Sequence, residues 1–343
     1  MRRAVLPDPM PDTQAPASQA TDHVAIHATL IAVRQAAELL CDRAILLILL
    51  HAHAGACRYA EFSEQTRLPS RLLSARLQRL CDDGLLVKIP YSRRPLRHAY
   101  HLTHMGVGLF EVMGLLVSWE QAWPEGDTLN TTVQVRHFAC AGTARAGGAR
   151  LRLHCAHCAG ALNAREVGLR VSQTEMARMP AKSTTTRRSS QPPHLRENGA
   201  APVLPQALAV LGDKWSIEVL VCAFFGLRQF GDFGPRMGIA TNILANRLTR
   251  LVQTGLLRRS GDEDPHRKGA YLLTPKGQAF YPILVAIQSW ADAWIDHRVR
   301  SPVKLQHRPC QTPLATRLVC AECEQGLTYA QGRIELEPGS TGP

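Results

Sequence analysis

Adding 171 to a residue number carries one half of this 343-residue chain onto the other without a gap, and a duplicated chain must fold as two copies of one unit. Asp42 falls on Asp213, Gly55 on Gly226 and Phe62 on Phe233. Leu73, Arg76, Leu77, Arg79, Leu80, Gly84, Leu85 and Leu86 fall on Leu244, Arg247, Leu248, Arg250, Leu251, Gly255, Leu256 and Leu257. Tyr100, Leu102, Thr103 and Gly106 find Tyr271, Leu273, Thr274 and Gly277, and Trp119 and Trp123 find Trp290 and Trp294. About eighty residues keep this register. A chain of this length suits two domains with appendages, each with its own buried core.

A formal charge of +12 and a pI near 9.5 favour a polyanionic partner, because Lys and Arg contacts to phosphates release condensed counterions. The apolar run Ala44 to Leu50 ends at His51, far short of the ~20 residues a bilayer span needs. Residues 1–20 are rich in Pro and Ala without a secretion-type apolar stretch, so a cytoplasmic protein is expected. In that compartment the ten cysteines read as thiols and metal ligands rather than disulfides.

In the second repeat, Val203 to Leu211 and Ser216 to Phe225 have helical apolar spacing. Phe230 to Met237 is a short amphipathic segment, Gly238 provides a turn, and Thr241 serves as N-cap of a helix running to Gln253. That is helix-turn-helix spacing. Leu244, Leu248 and Leu251 form the buried stripe, which leaves Asn242, Ala245, Asn246, Thr249 and Arg250 on other faces. Leu256 to Arg259 and Ala270 to Leu273 read as strands of a wing whose loop carries His266, Arg267 and Lys268. A helix from Thr274 to Trp294 follows. The first repeat has the same order: Phe62 to Thr66, a turn at Leu68 and Pro69, a helix from Ser70 to Asp82, a wing bearing Arg93, Arg94 and Arg97, and a helix from Thr103 to Trp123. The fold class is mainly α with small β wings: two winged helix-turn-helix domains, each followed by a small Cys/His zinc-ribbon-like module. The expected boundaries are a disordered segment at 1–24, a winged domain at 25–125, a Cys/His module at 126–172 and a flexible basic linker at 173–201. A second winged domain at 202–297, a second module at 298–337 and a tail at 338–343 complete the chain.

The runs Leu211 to Leu220 (LGDKWSIEVL), Asn246 to Arg259 (NRLTRLVQTGLLRR) and Ala270 to Leu284 (AYLLTPKGQAFYPIL) resemble the HxlR-type branch of winged-helix regulators, related to the MarR type. The first repeat departs from the pattern, with Ala44 where Trp215 stands. The resemblance implies regulation of nearby genes, dimers built through terminal helices, a recognition helix in the major groove and a wing along the backbone or minor groove. By matching, it places DNA contacts on Thr241, Asn242, Asn246 and Arg250, and on Ser70, Arg71, Ser74 and Arg79. Arg76 and Arg247 read equally as DNA contacts or as structural partners of an acidic group, and the wing arginines as phosphate contacts or a solvated face.

A second feature recurs after each domain: His137-x2-Cys140 then Cys155-x2-Cys158, and His307-x2-Cys310 then Cys320-x2-Cys323. Two thiolates of a CxxC turn converge on one ion, and a second pair completes a tetrahedral Cys3His site of the structural zinc sort. The expectation is one such site in each half, up to two Zn2+ per chain, against the alternative of free thiols. His154 and His157 are stand-in ligands, and Gly160 and Gly326 suit the tight turn past each CxxC. Cys41, Cys57, Cys81 and Cys222 are candidates for a thiol switch, with inert packing the first reading.

No Gly-rich phosphate loop, GxSxG elbow or HExxH helix occurs, and Cys3His is a closed ligand set, so the chain is not read as an enzyme and needs no organic cofactor. The expected function is a sequence-specific double-stranded DNA-binding repressor with two reading domains per chain, arranged as an intramolecular pseudo-dimer or a homodimer. The rival is a winged-helix interaction or thiol/metal-responsive protein in which the first repeat serves dimerisation.

Overall fold

The computed structural model describes residues 19–124, 131–140, 148–172, 174, 203–260, 269–295 and 303–338. The linker expected at 173–201 lies outside these residues apart from Thr174. The first half runs α1 (Gln19–Leu40), α2 (Arg43–His53), α3 (Tyr59–Thr66), α4 (Ser70–Asp82), β1 (Leu86–Arg93), β2 (Leu96–Leu102), α5 (His104–Val107) and α6 (Phe110–Ala122), then β3 (Thr131–His137), β4 (Leu151–Cys155) and β5 (Val167–Val171). The second runs α7 (Pro205–Leu211), α8 (Lys214–Phe224), α9 (Phe230–Met237), α10 (Thr241–Gln253), β6 (Leu257–Arg259), β7 (Tyr271–Leu273), α11 (Pro275–Gln278) and α12 (Tyr281–Trp294). It ends on β8 (Val303–His307), β9 (Thr312–Pro313), β10 (Thr316–Cys320) and β11 (Gly332–Pro338).

Each repeat is a winged helix-turn-helix. The turn between α3 and α4 passes through Arg67 at φ 51°, and the matching turn between α9 and α10 through Gly238 at φ 64°. The left-handed conformation costs a side-chain-bearing residue what glycine avoids. Thr241 is the first helical residue, and Ala240 occupies the cap position expected for it.

The helices read as continuous from Thr103 to Trp123 and from Thr274 to Trp294 are each broken in two. Thr103 Oγ1 accepts from the Gly106 N–H at 3.1 Å and Thr274 Oγ1 from the Gly277 N–H at 3.0 Å. Those first turns press the glycines onto the carbonyls of Leu85 and Leu256 so closely that no Cβ would fit. The chain redirects before the long helix begins, and in the second repeat Pro282 lacks the N–H that would carry the turn onward.

The two repeats interlock. Residues 19–24, expected to be unstructured, form the start of α1, which crosses to the second repeat and packs on α8 and α12. There Arg34 donates to both Glu218 carboxylate oxygens, at 3.0 and 2.8 Å, and to the Met237 carbonyl at 2.8 Å. In return, α7 packs on α2 and α6 of the first repeat. The Glu120 carboxylate accepts from the N–H groups of Gln206 and Ala207 at 3.2 and 2.7 Å, capping α7. Trp119 Nε1 donates to the Lys276 carbonyl at 3.1 Å and Trp290 Nε1 to the Met105 carbonyl at 3.0 Å. Trp119 and Trp290 are repeat equivalents, and so are Met105 and Lys276. One bond therefore generates the other by a pseudo-twofold rotation, as at the isologous interface of a dimer. A single apolar core runs through both repeats.

The strands beyond the winged domains are exchanged as well. β3 pairs antiparallel with β11, from His137 opposite Gly332 to Thr131 opposite Pro338. β5 pairs with β8, from Val167 opposite His307 to Val171 opposite Val303. β4 pairs with β10, with Leu151 opposite Cys320 and Cys155 opposite Thr316. Strands of the first half therefore find their partners in the second.

Candidate metal centres and nucleic-acid interface

This exchange decides which Cys/His pairs meet. The expectation of one site per half is overturned: His137 and Cys140 gather with Cys320 and Cys323, and Cys155 and Cys158 with His307 and Cys310. Antiparallel pairing of β4 with β10 runs each CxxC toward the start of the opposite strand, and β3 with β11 and β5 with β8 bring the His-x2-Cys turn of the other half to meet it. In the first group His137 Nδ1 lies 3.4 Å from both Cys140 Sγ and Cys323 Sγ, and the sulfurs of Cys140 and Cys320 are 3.9 Å apart. In the second, His307 Nδ1 lies 3.2 Å from Cys158 Sγ and 3.3 Å from Cys310 Sγ, with Cys155 and Cys310 sulfurs 3.9 Å apart.

A tetrahedron with metal–sulfur arms of ~2.3 Å has sulfur–sulfur edges of ~3.8 Å, so the donor atoms stand where one ion would reach all four. All donor atoms of each group lie within 4.8 Å of one another, and His137, Cys140, Cys155, Cys320 and His307 are buried. The Thr312 hydroxyl is the main influence that pulls the Cys310 thiol down to about 6, while a hydrogen bond with the Cys323 thiol is foremost in pushing Cys140 up to about 12. His154 and His157 belong to neither group; His154 Nδ1 is bonded to the Ala159 carbonyl at 2.8 Å. The left-handed residue past each CxxC is Ala159 (φ 59°) or Glu324 (φ 57°), not the glycine that follows it. Gly160 has a different use: a Cβ there would sit 3.3 Å from the His307 ring.

The recognition helices follow from their leucines. Leu73, Leu77 and Leu80 are buried in α4 and Leu244, Leu248 and Leu251 in α10, which turns Ser70, Arg71, Ser74, Thr241, Asn242 and Asn246 to solvent. Arg250 is half-buried, and Arg79 is held by Asp83 at 3.3 Å and by the Glu38 carbonyl. Arg76 pairs with Asp42 at 2.7 Å and Arg247 with Asp213 at 2.5 Å. Asp42 also caps α2 through the N–H groups of Ala44 and Ile45. Of the two readings open for these arginines, the structure gives the structural one: each fixes the inner side of a recognition helix to the start of the helix beneath it.

The wings differ. β1 and β2 form a long hairpin with Arg93, Arg94 and Arg97 exposed at its tip, whereas β6 and β7 are three residues each, and His266, Arg267 and Lys268 lie outside the described residues. Burial pushes the thiols of Cys41, Cys57, Cys81 and Cys222 up, Cys222 to about 12, which suits packing rather than reactivity. Among the described residues no helix is long and apolar enough to cross a membrane.

The "HxlR-like helix-turn-helix" family model matches this chain twice, over residues 39–128 and 210–299. An uncharacterized HTH-type transcriptional regulator of Mycobacterium tuberculosis (strain ATCC 25618 / H37Rv), Rv3095, is 33% identical over 137 residues, covering 39% of this chain and 85% of its own. The HTH-type transcriptional regulator YodB of Bacillus subtilis (strain 168) is 27% identical over 100 residues, covering 29% and 89%. The solved structure of PA1607 is 34% identical over 37% of this chain and 90% of its own, with a TM-score of 0.33. Winged helices in both halves, with the two family matches together spanning more than half of the sequence, make this protein a member of the HxlR-like helix-turn-helix family that carries two copies of the domain in one chain.

Proposed function

We propose that the protein is a sequence-specific double-stranded DNA-binding transcriptional repressor in which both repeats read one operator as an intramolecular pseudo-dimer. The observation that carries this is the reciprocal bonding of Trp119 to Lys276 and Trp290 to Met105. It relates the two recognition helices by a pseudo-dyad inside one chain, the relation that regulators of this type otherwise obtain from two chains. Ser70, Arg71 and Ser74 in α4 and Thr241, Asn242, Asn246 and Arg250 in α10 face base edges, Arg93, Arg94 and Arg97 bind phosphates, and the net charge of +12 supplies the electrostatic term. Because the two helices differ in sequence, the operator is asymmetric, with half-sites about one turn (~34 Å) apart.

Zinc is the ion that suits the two Cys3His groups, since three thiolates and one imidazole at tetrahedral spacing form a closed structural set. Its part is mechanical: each ion joins a turn of one half to a turn of the other.

A salt-dependent titration of the purified chain against DNA from its own promoter region and a scrambled control tests the reading. Specific binding that weakens steeply between about 50 and 200 mM salt supports it. Equal weak binding to both DNAs contradicts it, and a reporter that rises with the intact protein present contradicts repression.

A further inference from the structure

The tip of the first wing combines features that ordinary phosphate contact does not require. Leu96 is 64% exposed, the highest value among the exposed large apolar side chains of the described residues, and Val87, Ile89 and Tyr91 on β1 are 43%, 46% and 46% exposed. The last two register pairs of the hairpin set Arg93 opposite Leu96 and Ser92 opposite Arg97. Leu96 therefore stands at the end of a two-stranded ribbon, preceded by Pro95 and flanked by Arg93, Arg94 and Arg97, all exposed. The shaft is braced lower down, where the Arg58 guanidinium lies 5.0 Å from the centre of the Tyr91 ring and the Arg58 backbone bridges to Ala99.

The sequence of the second repeat has no apolar residue at the matching place. Its strands are three residues long, and adding 171 puts Arg267 at the place of Leu96, Asp264 at that of Arg93 and Pro265 at that of Arg94. Leu96 together with the exposed Val87, Ile89 and Tyr91 gives this one hairpin more apolar surface than scattered single residues would, the kind that marks an interaction site, and the three exposed arginines at the same tip make an apolar protein or a membrane interior a poor occupant. The surface it fits is one with closely spaced anions around a narrow apolar slot. The minor groove of duplex DNA is that surface: phosphates line both rims, and stacked base pairs admit an apolar wedge between them once the step opens.

We infer that the first wing inserts Leu96 between base pairs from the minor groove, with Arg93, Arg94 and Arg97 on the flanking phosphates, so that this protein bends its operator on the first repeat's side only. The inference rests on the DNA-binding reading above and adds a deformation to it. Specificity then extends to base pairs that neither recognition helix touches, because flexible pyrimidine–purine steps open at lower cost than stiff ones.

The test is end-to-end energy transfer on promoter duplexes bound by the full chain, with 2-aminopurine placed through the footprint to report unstacking. Wild-type protein is expected to bend the duplex by at least about 20° and to raise 2-aminopurine emission at one step. Leu96→Ser should bind with a loss of less than about tenfold but leave the duplex close to straight and the emission unchanged. Ile89→Thr, on the shaft rather than the tip, should bend like wild type. A straight wild-type complex, or an unaltered bend with Leu96→Ser, overturns the wedge while leaving DNA binding intact. Self-association of the free chain that Leu96→Ser abolishes also overturns it, by assigning the tip to a second copy. Absence of any DNA binding at low salt overturns both this inference and the reading on which it rests.

Discussion

Leu153 on β4 lies directly opposite Leu318 on β10, and each stands two residues before the first cysteine of its own CxxC. Counted from the CxxC motifs, where the two halves differ in spacer length and leave the 171-residue register, these leucines are equivalents, and equivalents that face each other mark the pseudo-twofold axis, which passes between their side chains. The strands on either side of it must then exchange, and the Cys/His pairs exchange with them.

Metal content tests that exchange. The purified chain should hold about two zinc ions. Cys140→Ser with Cys323→Ser damages one site and should leave about one ion. Cys140→Ser with Cys158→Ser damages both and should leave none. If each half closed its own site the two results would be interchanged, and mass spectrometry of the native variants reads the difference directly.

Removing the metal should loosen the link between the halves without unfolding the winged domains, whose core is continuous and apolar. Chelation is expected to lower the melting temperature and to speed hydrogen exchange in β3, β4, β5, β8, β10 and β11, with slower change in α2 and α8. Uniform loss of protection throughout the chain would contradict this.

The two tryptophans should behave as equivalents. Trp119 and Trp290 are each 4% exposed, and Trp119→Ala or Trp290→Ala should cost about 3–5 kcal/mol in urea unfolding. Replacement by Phe keeps the ring and loses one hydrogen bond, about 1 kcal/mol in each case. A large effect at one position and none at the other would break the proposed symmetry.

Arg34 has no such equivalent: adding 171 reaches Pro205. Its partner Glu218 is 1% exposed, and burial raises the Glu218 carboxyl while Arg34 holds it down. Arg34→Ala leaves a buried carboxylate unpaired, at a cost of about 3–5 kcal/mol, offset in part if Glu218 takes up a proton. The loss should be smaller at pH 5 than at pH 8, and equal losses at both pH values would contradict the pairing.

His51 and His53 give a second pH dependence of known sign. Burial pulls both down to about 4 from 6.5; His51 meets Gln65 at 3.0 Å, and His53 packs by the rings of Phe110 and Tyr329. Below about pH 6.5 the unfolded chain binds protons there and the fold does not. Stability should therefore fall as pH drops from about 6.5 to about 4, on the order of 3 kcal/mol for each histidine, with no contribution above that window. The slope should flatten in His51→Gln and His53→Gln; an unchanged slope would assign it to other groups.

Much of this was legible because it is local. The helix at Ser70 to Asp82 matches its expected bounds, and the one ending at Gln253 starts one residue early, at Thr241 instead of after it, since leucines at helical spacing and a turn before each fix a helix whatever it packs on. What escaped is long-range. Ile26, Leu30, Val33 and Leu40 give α1 an apolar stripe that the sequence does display, but its partner lies on the other repeat, and no periodicity names a partner. The four Cys/His pairs were readable as pairs for the same reason, while their combination depends on the register of β4 against β10. The role of Arg76 and Arg247 depends on Asp42 and Asp213, residues 34 positions away in sequence that only the fold sets beside them.

The most direct test of the central claim is the mass and footprint of the protein–operator complex, by native mass spectrometry and hydroxyl-radical footprinting on the same promoter fragment. One chain per duplex, protecting two dissimilar half-sites about ten base pairs apart, is the predicted result. Two chains on a perfect palindrome, each engaging DNA through a single repeat, would contradict it.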